Sequence, residues 1–206
     1  SGTTTIPGVG GIVDAAAAAD GGRYLVSAQG LSGTNTTATR LGPNGTVEWQ
    51  RTFRSGDESR RPVAVVGGEG SGVYLLEILG VRAGPEAPET TPKLRLHRVT
   101  PDGDVAWNRS LGNSTSVYGG PPMVATGDGV AVARGMETED DPRATRVTRL
   151  TAGGSVAWDR AYRGGIPRAL AETPDGHLLV AGEHDFGEGW LLRLENGGAK
   201  TFNETF

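Results

Sequence analysis

Val99-Thr100-Pro101-Asp102-Gly103-Asp104-Val105-Ala106-Trp107 decides the fold, because the chain repeats this phrase four times. The other copies run Leu41 to Trp49, Leu150 to Trp158 and Leu194 to Phe202. Each has a glycine four residues after its opening aliphatic residue (Gly45, Gly103, Gly154, Gly198) and an arginine just before it (Arg40, Arg98, Arg149, Arg193). Each closes on an aromatic ring. The copies start 58, 51 and 44 residues apart. That period falls among propeller blades and above the shorter solenoid units.

Read locally, the phrase is a β-hairpin. Proline presets φ at the second position of a type I turn, and glycine supplies the left-handed residue of a bulge. A three-residue loop of this kind pairs Val99 with Val105 and His97 with Trp107, so Val99, Val105 and Trp107 share one face. The same register aligns Leu41, Val47 and Trp49, then Leu150, Val156 and Trp158. A slip of one residue would turn them to the opposite face. His97 falls on the face of Trp107 and is expected to be a satisfied, partly buried residue. Lys200 replaces the valine in the fourth copy, which suggests a more exposed or terminal repeat.

Two further β-type runs precede each phrase, separated by glycine-rich turns such as Pro174-Asp175-Gly176. Sixteen short strands are expected in four antiparallel sheets. The predicted fold is therefore all-β: a propeller of four four-stranded antiparallel blades, with limits near 11–53, 54–111, 112–162 and 163–206. Residues 1–10 form an N-terminal segment that either closes the ring or pairs with a neighbouring subunit. Innermost strands crowd an axis, where small side chains fit, and the run Ala15 to Ala19 with Ala64, Ala125, Ala169 and Ala171 meets that demand. Alanine is also the best helix former. The Asp20-Gly21-Gly22 turn that follows at the repeat position favours strand.

These four hairpins cover nearly the whole chain, and in them the sequence resembles the tryptophan-docking, quinoprotein-like β-propellers. That family includes both cofactor-dependent dehydrogenases and non-enzymatic scaffolds. The resemblance implies that Trp49, Trp107, Trp158 and Phe202 wedge between neighbouring blades as core residues, rather than converging on a ligand. A complete four-blade ring, half of an eight-blade dimer and an excised piece are all compatible with this length.

Composition bounds the rest. The chain has 206 residues, a formal charge of −4 and a pI near 5.4, with no basic footprint for nucleic acid. No apolar run approaches the roughly 18 residues needed to span a bilayer. With no cysteine, disulfides, thiol catalysis and thiolate metal sites are excluded. Lysine occurs only at 93 and 200 while arginine is frequent, which reads as a GC-rich or halophilic, archaeal bias. Ser1 in place of methionine fits either a processed secretory product or a trimmed chain.

Asparagine gives the sharper clue to location. Five of the six asparagines, Asn35, Asn44, Asn108, Asn113 and Asn203, stand in Asn-x-Ser/Thr sequons; only Asn196 does not. About one sequon is expected by chance at this serine and threonine content. Asn108 and Asn203 each follow the closing aromatic, and strand alternation points them away from its face. Asn44 occupies a turn tip.

Connections vary in length on one side of the expected blades. That side carries residues 55–62, 81–92, 112–122, the acidic stretch 137–141 and residues 183–188, and variable loops on a rigid scaffold usually serve recognition. Glu137, Glu139, Asp140 and Asp141 lack the spacing and glycine of a calcium loop. His184 beside Asp185 is a lone histidine, and His177 is expected to be exposed at a strand start. No nucleophile elbow, phosphate loop or paired-histidine zinc motif is present. No catalytic residue, cofactor or metal is assigned. The expectation is a glycosylated structural or interaction module of the cell surface, contacting copies of itself or other envelope components through loops or open strand edges. The alternatives are a propeller that binds glycan or peptide, and a fragment of a quinone- and calcium-dependent enzyme.

Overall fold

The computed structural model describes residues 5–29, 35–54, 59–68, 70, 72–80, 92–115, 120–139, 141–184 and 187–206. They form sixteen strands in four antiparallel four-stranded sheets, each ordered as the strands follow in sequence. Sheet 1 comprises β1 (Gly11–Ala17), β2 (Arg23–Gln29), β3 (Asn35–Leu41) and β4 (Val47–Arg54). Sheet 2 comprises β5 (Arg60–Gly67), β6 (Val73–Leu79), β7 (Lys93–Val99) and β8 (Val105–Asn113). Sheet 3 comprises β9 (Met123–Thr126), β10 (Gly129–Met136), β11 (Ala144–Thr151) and β12 (Val156–Tyr162). Sheet 4 comprises β13 (Ile166–Glu172), β14 (Leu178–Glu183), β15 (Gly189–Leu194) and β16 (Lys200–Thr205).

The all-β fold class is as the repeat predicts. The alanine run is strand to Ala17; Ala18 then opens a turn, its carbonyl accepting from Gly21 N at 3.1 Å. Among the described residues no helix is long and apolar enough to cross a membrane.

The chain divides into two compact units, residues 1–112 and 113–206. In the first, Tyr24, Val26, Ala38 and Phe53 of sheet 1 pack on Val65, Val73, Leu75 and Val99 of sheet 2. In the second, Ala131, Ala133, Val147 and Tyr162 of sheet 3 pack on Leu178, Val180, Trp190, Leu192 and Leu194 of sheet 4. Each unit is thus two sheets face to face over one apolar layer.

The hairpin register differs from the expected one by a single bulge. Leu41 stands opposite Val47, as the turn requires, but Arg40 and not Thr39 stands opposite Trp49. The same shift places Trp158 opposite Arg149 and Phe202 opposite Arg193. Glu48, Ala157 and Thr201 are the extra residues. An extra residue reverses the alternation beyond it. The aromatic ring therefore leaves the face of its valine: Val47 and Val156 are 42% and 44% exposed, while Trp49 and Trp158 turn toward the core.

Nor is His97 on the face of Trp107. It pairs with Leu75 on the face toward sheet 1, whereas Trp107 lies 5.9 Å from the ring of Tyr74 on the other face. A second bulge recurs in the first strands, beside Pro62 and Pro167 and between Ile12 and Asp14. Proline lacks the donor that a regular ladder would need, so bulges suit it.

Candidate functional site

Two aromatic residues dock on the hairpin turn of the next sheet. The Trp49 indole N–H donates to Pro101 O at 2.6 Å, and the ring lies against Gly103, where a Cβ would come within 2.9 Å of it. Trp158 does the same one unit on: it donates to Asn196 O at 2.7 Å and covers Gly198. Both glycines have left-handed backbone, with φ of 88° and 76°. Only glycine meets both demands, the positive φ and the missing Cβ. Trp107 and Phe202 are half-buried at the equivalent positions of β8 and β16.

The repeat arginines, whose role the sequence left open, form a cross-strand row with these rings. Tyr24, Arg40 and Trp49 stand side by side on β2, β3 and β4, with the Arg40 guanidinium 4.7 Å from the Tyr24 ring. Arg40, 2% exposed, also donates to Leu41 O at 2.9 Å and to the Asp20 carboxylate in the preceding turn. The hydrogen bond from Gly22 N, then that from Arg40, holds the Asp20 carboxyl below its ordinary range. Arg98 over Tyr74 repeats the stack. A Cβ at Gly22 or Gly72 would lie 2.1 Å from the guanidinium, so these glycines make room for it.

In sheet 3 the tyrosine becomes Ala131, and Arg149 reaches across to sheet 4. It binds Asp128 at 2.9 Å, Glu172 at 3.0 Å and Gly176 O at 3.3 Å. Burial pushes the Asp128 carboxyl up, but the hydrogen bonds from Arg149 and Thr126, with the Arg149 charge, together outweigh it and the net direction is down. A cavity of about 280 Å³ opens beside these groups, lined by Asp128, Arg149, Glu172, Thr173, Gly176 and Asn196. It lies at the short turns. Expected recognition was on the opposite, variable connections, of which residues 55–58, 81–91, 116–119, 140 and 185–186 lie outside the described residues. In sheet 4, Arg193 contacts His177 Nδ1 at 2.8 Å, so His177 is half-buried rather than exposed.

A buried ionic cluster sits where sheet 1 meets sheet 2. Glu77 Oε2 accepts from Arg60 at 3.1 Å and faces His97 Nε2 at 2.7 Å, and all three are at least nine-tenths buried. The His97 ring lies 4.7 Å from that of Phe53. Burial raises the Glu77 carboxyl, yet the His97 hydrogen bond and charge, with the Arg60 charge beside them, outweigh it and hold it below its ordinary value. Among the described residues, Thr36 Oγ1, Arg60 Nε, Glu77 Oε1 and His97 Nδ1 complete no hydrogen bond. No spacing in the sequence signals this cluster, since its members come from β3, β5, β6 and β7.

The sequons divide by exposure. Asn44, Asn108 and Asn113 are exposed, the first at a turn tip where its Oδ1 accepts from Thr46 N at 3.1 Å. Asn35, half-buried, opens β3 opposite Arg54. Asn203 is engaged: Oδ1 accepts from the Trp190 indole at 2.6 Å and Nδ2 donates to Arg163 O at 3.0 Å. Among the described residues no three His, Asp or Glu side chains converge to hold a metal ion.

No family model and no curated protein matches the sequence. Solved structures do match. A protein from Lactobacillus plantarum is similar with a TM-score of 0.59 and 16% identity, over 94% of this chain and 55% of that one. The neuraminidase-like protein of A/flat-faced bat/Peru/033/2010 is similar with a TM-score of 0.52 and 12% identity, over 94% of this chain and 58% of that one. The chain thus spans little more than half the length of either. Both are propeller-type folds, and the four four-stranded antiparallel sheets fit that architecture.

Proposed function

We propose that this chain is a propeller module of an extracellular or cell-surface glycoprotein, acting as a structural or interaction element rather than as an enzyme. The observation that carries the reading is the placement of Asn44, Asn108 and Asn113 in exposed sequons, the first in the turn between β3 and β4 and the other two on β8. Glycan there would extend from exposed side chains. Asn203, whose amide ties Trp190 to Arg163, is the sequon least suited to carry one. Kinship with the tryptophan-docking propellers is supported by Trp49 on Gly103 and Trp158 on Gly198.

Its partners in this reading are copies of itself or other envelope components, reached through strand edges and loops. Intact mass of the natural protein before and after deglycosylation tests the surface assignment. Loss of several glycan masses is expected, reduced stepwise in Asn44→Gln, Asn108→Gln and Asn113→Gln; an unchanged mass overturns it. A ligand-binding role is the second reading, favoured by the cavity beside Arg149. Perturbation of Arg149 and Asn196 resonances by added oligosaccharides or peptides would support that role.

A further inference from the structure

Of the hairpin turns that carry the repeat glycine, two are covered by an indole, and a third is open. Around Gly103 and Gly198 a Cβ would strike Trp49 and Trp158 at 2.9 Å. Around Gly45, which has the same left-handed backbone (φ 81°), nothing lies within 4 Å. The local frame is otherwise the same: Gly45 N donates to Gly42 O at 2.9 Å, as Gly103 N donates to Thr100 O at 3.0 Å. The carbonyl two residues before the glycine, which accepts the indole N–H in both covered turns, is Pro43 O here. Residues 42–46 therefore present the surface that an aromatic ring occupies elsewhere in the molecule.

We propose that the Gly42–Thr46 turn is a docking socket for the closing aromatic residue of a second copy of this chain, Phe202 on β16. Phe202 stands opposite Arg193 as Trp49 stands opposite Arg40 and Trp158 opposite Arg149, so it is the same plug on the same kind of strand. The interface is an extension of one already used twice within the chain. Socket and plug are different surfaces, so the contact is head-to-tail and propagates or closes a ring. This deepens the self-association part of the proposed function and rests on it. Asn44 adjoins the socket, so a glycan there narrows the approach, and the test begins with unglycosylated chain.

Sedimentation of the unglycosylated full chain over a range of concentration is expected to show reversible association. Phe202→Ala should weaken it by about tenfold or more. Phe202→Trp, which restores an N–H for Pro43 O, should tighten it. Gly45→Asn fills the socket with a residue that tolerates left-handed φ and meets no neighbour within 4 Å. It should abolish association while leaving the thermal midpoint of the monomer nearly unchanged. A monomer at every concentration, or association indifferent to both Phe202→Ala and Gly45→Asn, overturns the proposal. Neither result touches the glycoprotein assignment, which the mass measurement decides separately.

Discussion

Corresponding places in the two units are filled by opposite chemistries. In the first unit, Thr36 and Phe53 of sheet 1 face Arg60, Glu77 and His97 of sheet 2. In the second, Thr145 and Tyr162 of sheet 3 face Gly165, Gly182, Trp190 and Leu192 of sheet 4. There the polar groups find partners: Thr145 Oγ1 donates to Gly165 O at 2.5 Å, Tyr162 OH to Gly198 O at 2.6 Å, and Trp190 Nε1 to Asn203. Gly165 clears space for the indole, since a Cβ there would lie 2.8 Å from Trp190, and Gly182 clears space for the Ile166 carbonyl, which a Cβ would meet at 2.1 Å. One unit buries an ion cluster with four uncommitted polar atoms, and the other buries a ring with its single donor satisfied. The contrast teaches that the repeat fixes where the sheets meet but not what holds them there.

The comparison breaks most visibly at Glu77 and Trp190. Glu77→Ala leaves Arg60 and His97 buried without their carboxylate, and should cost about 3–5 kcal/mol in urea unfolding. Replacing the whole cluster, Arg60→Met with Glu77→Leu and His97→Leu, should be neutral or stabilising by up to about 4 kcal/mol. A large loss in the triple variant would show that the cluster itself holds the junction. Trp190→Ala removes the corresponding ring and should cost about 3–5 kcal/mol, with Asn203 Oδ1 left without its donor.

Smaller effects sharpen it. Gly103→Ala must displace Trp49 as well as strain the backbone and should cost about 2–3 kcal/mol, whereas Gly45→Ala, with open space, should cost only about 1 kcal/mol. Equal losses in thermal unfolding would contradict the docked geometry.

Titration separates the units by pH. Burial raises the Tyr162 hydroxyl to about 12 from its ordinary value of 10.0. Its contribution is complete below pH 10 and is lost as pH rises from there through about 12. Tyr162→Phe should remove this alkaline slope at a cost of about 1 kcal/mol for the hydrogen bond to Gly198. Glu77 runs the other way: its lowered carboxyl contributes above the ordinary glutamate range and is lost as pH falls below it. Smallest of all, the Arg146–Asp159 pair of sheet 3, a third exposed, should contribute less than about 1 kcal/mol in a double-mutant cycle and fade in salt.

Much of the fold was legible because one phrase recurs and its turn chemistry is specific. Glycine after Asp102 or Asn44 announces the hairpin, and the strands on either side follow. The bulge was not legible, because Glu48, Ala157 and Thr201 share no property that marks an inserted residue. That omission put Trp49 beside Val47 and His97 beside Trp107. The repeat arginines were visible as a pattern, but the role of Arg40 depends on Asp20, in the turn before β2. The buried cluster was the least accessible, since Arg60, Glu77 and His97 meet only when three strands are laid side by side. Exposure of the sequons followed from alternation at Asn108 and failed at Asn203, where a neighbouring tryptophan captures the amide.

The inserted residue in β4, β12 and β16 makes the sequence tolerant at an unexpected place. Loss of the single codon for Glu48 would leave every ring, glycine and arginine of the first repeat in the gene. The tryptophan would still stand opposite Arg40, with Val47 opposite Leu41 on the other face, and only the extra twist that a bulge adds would be gone.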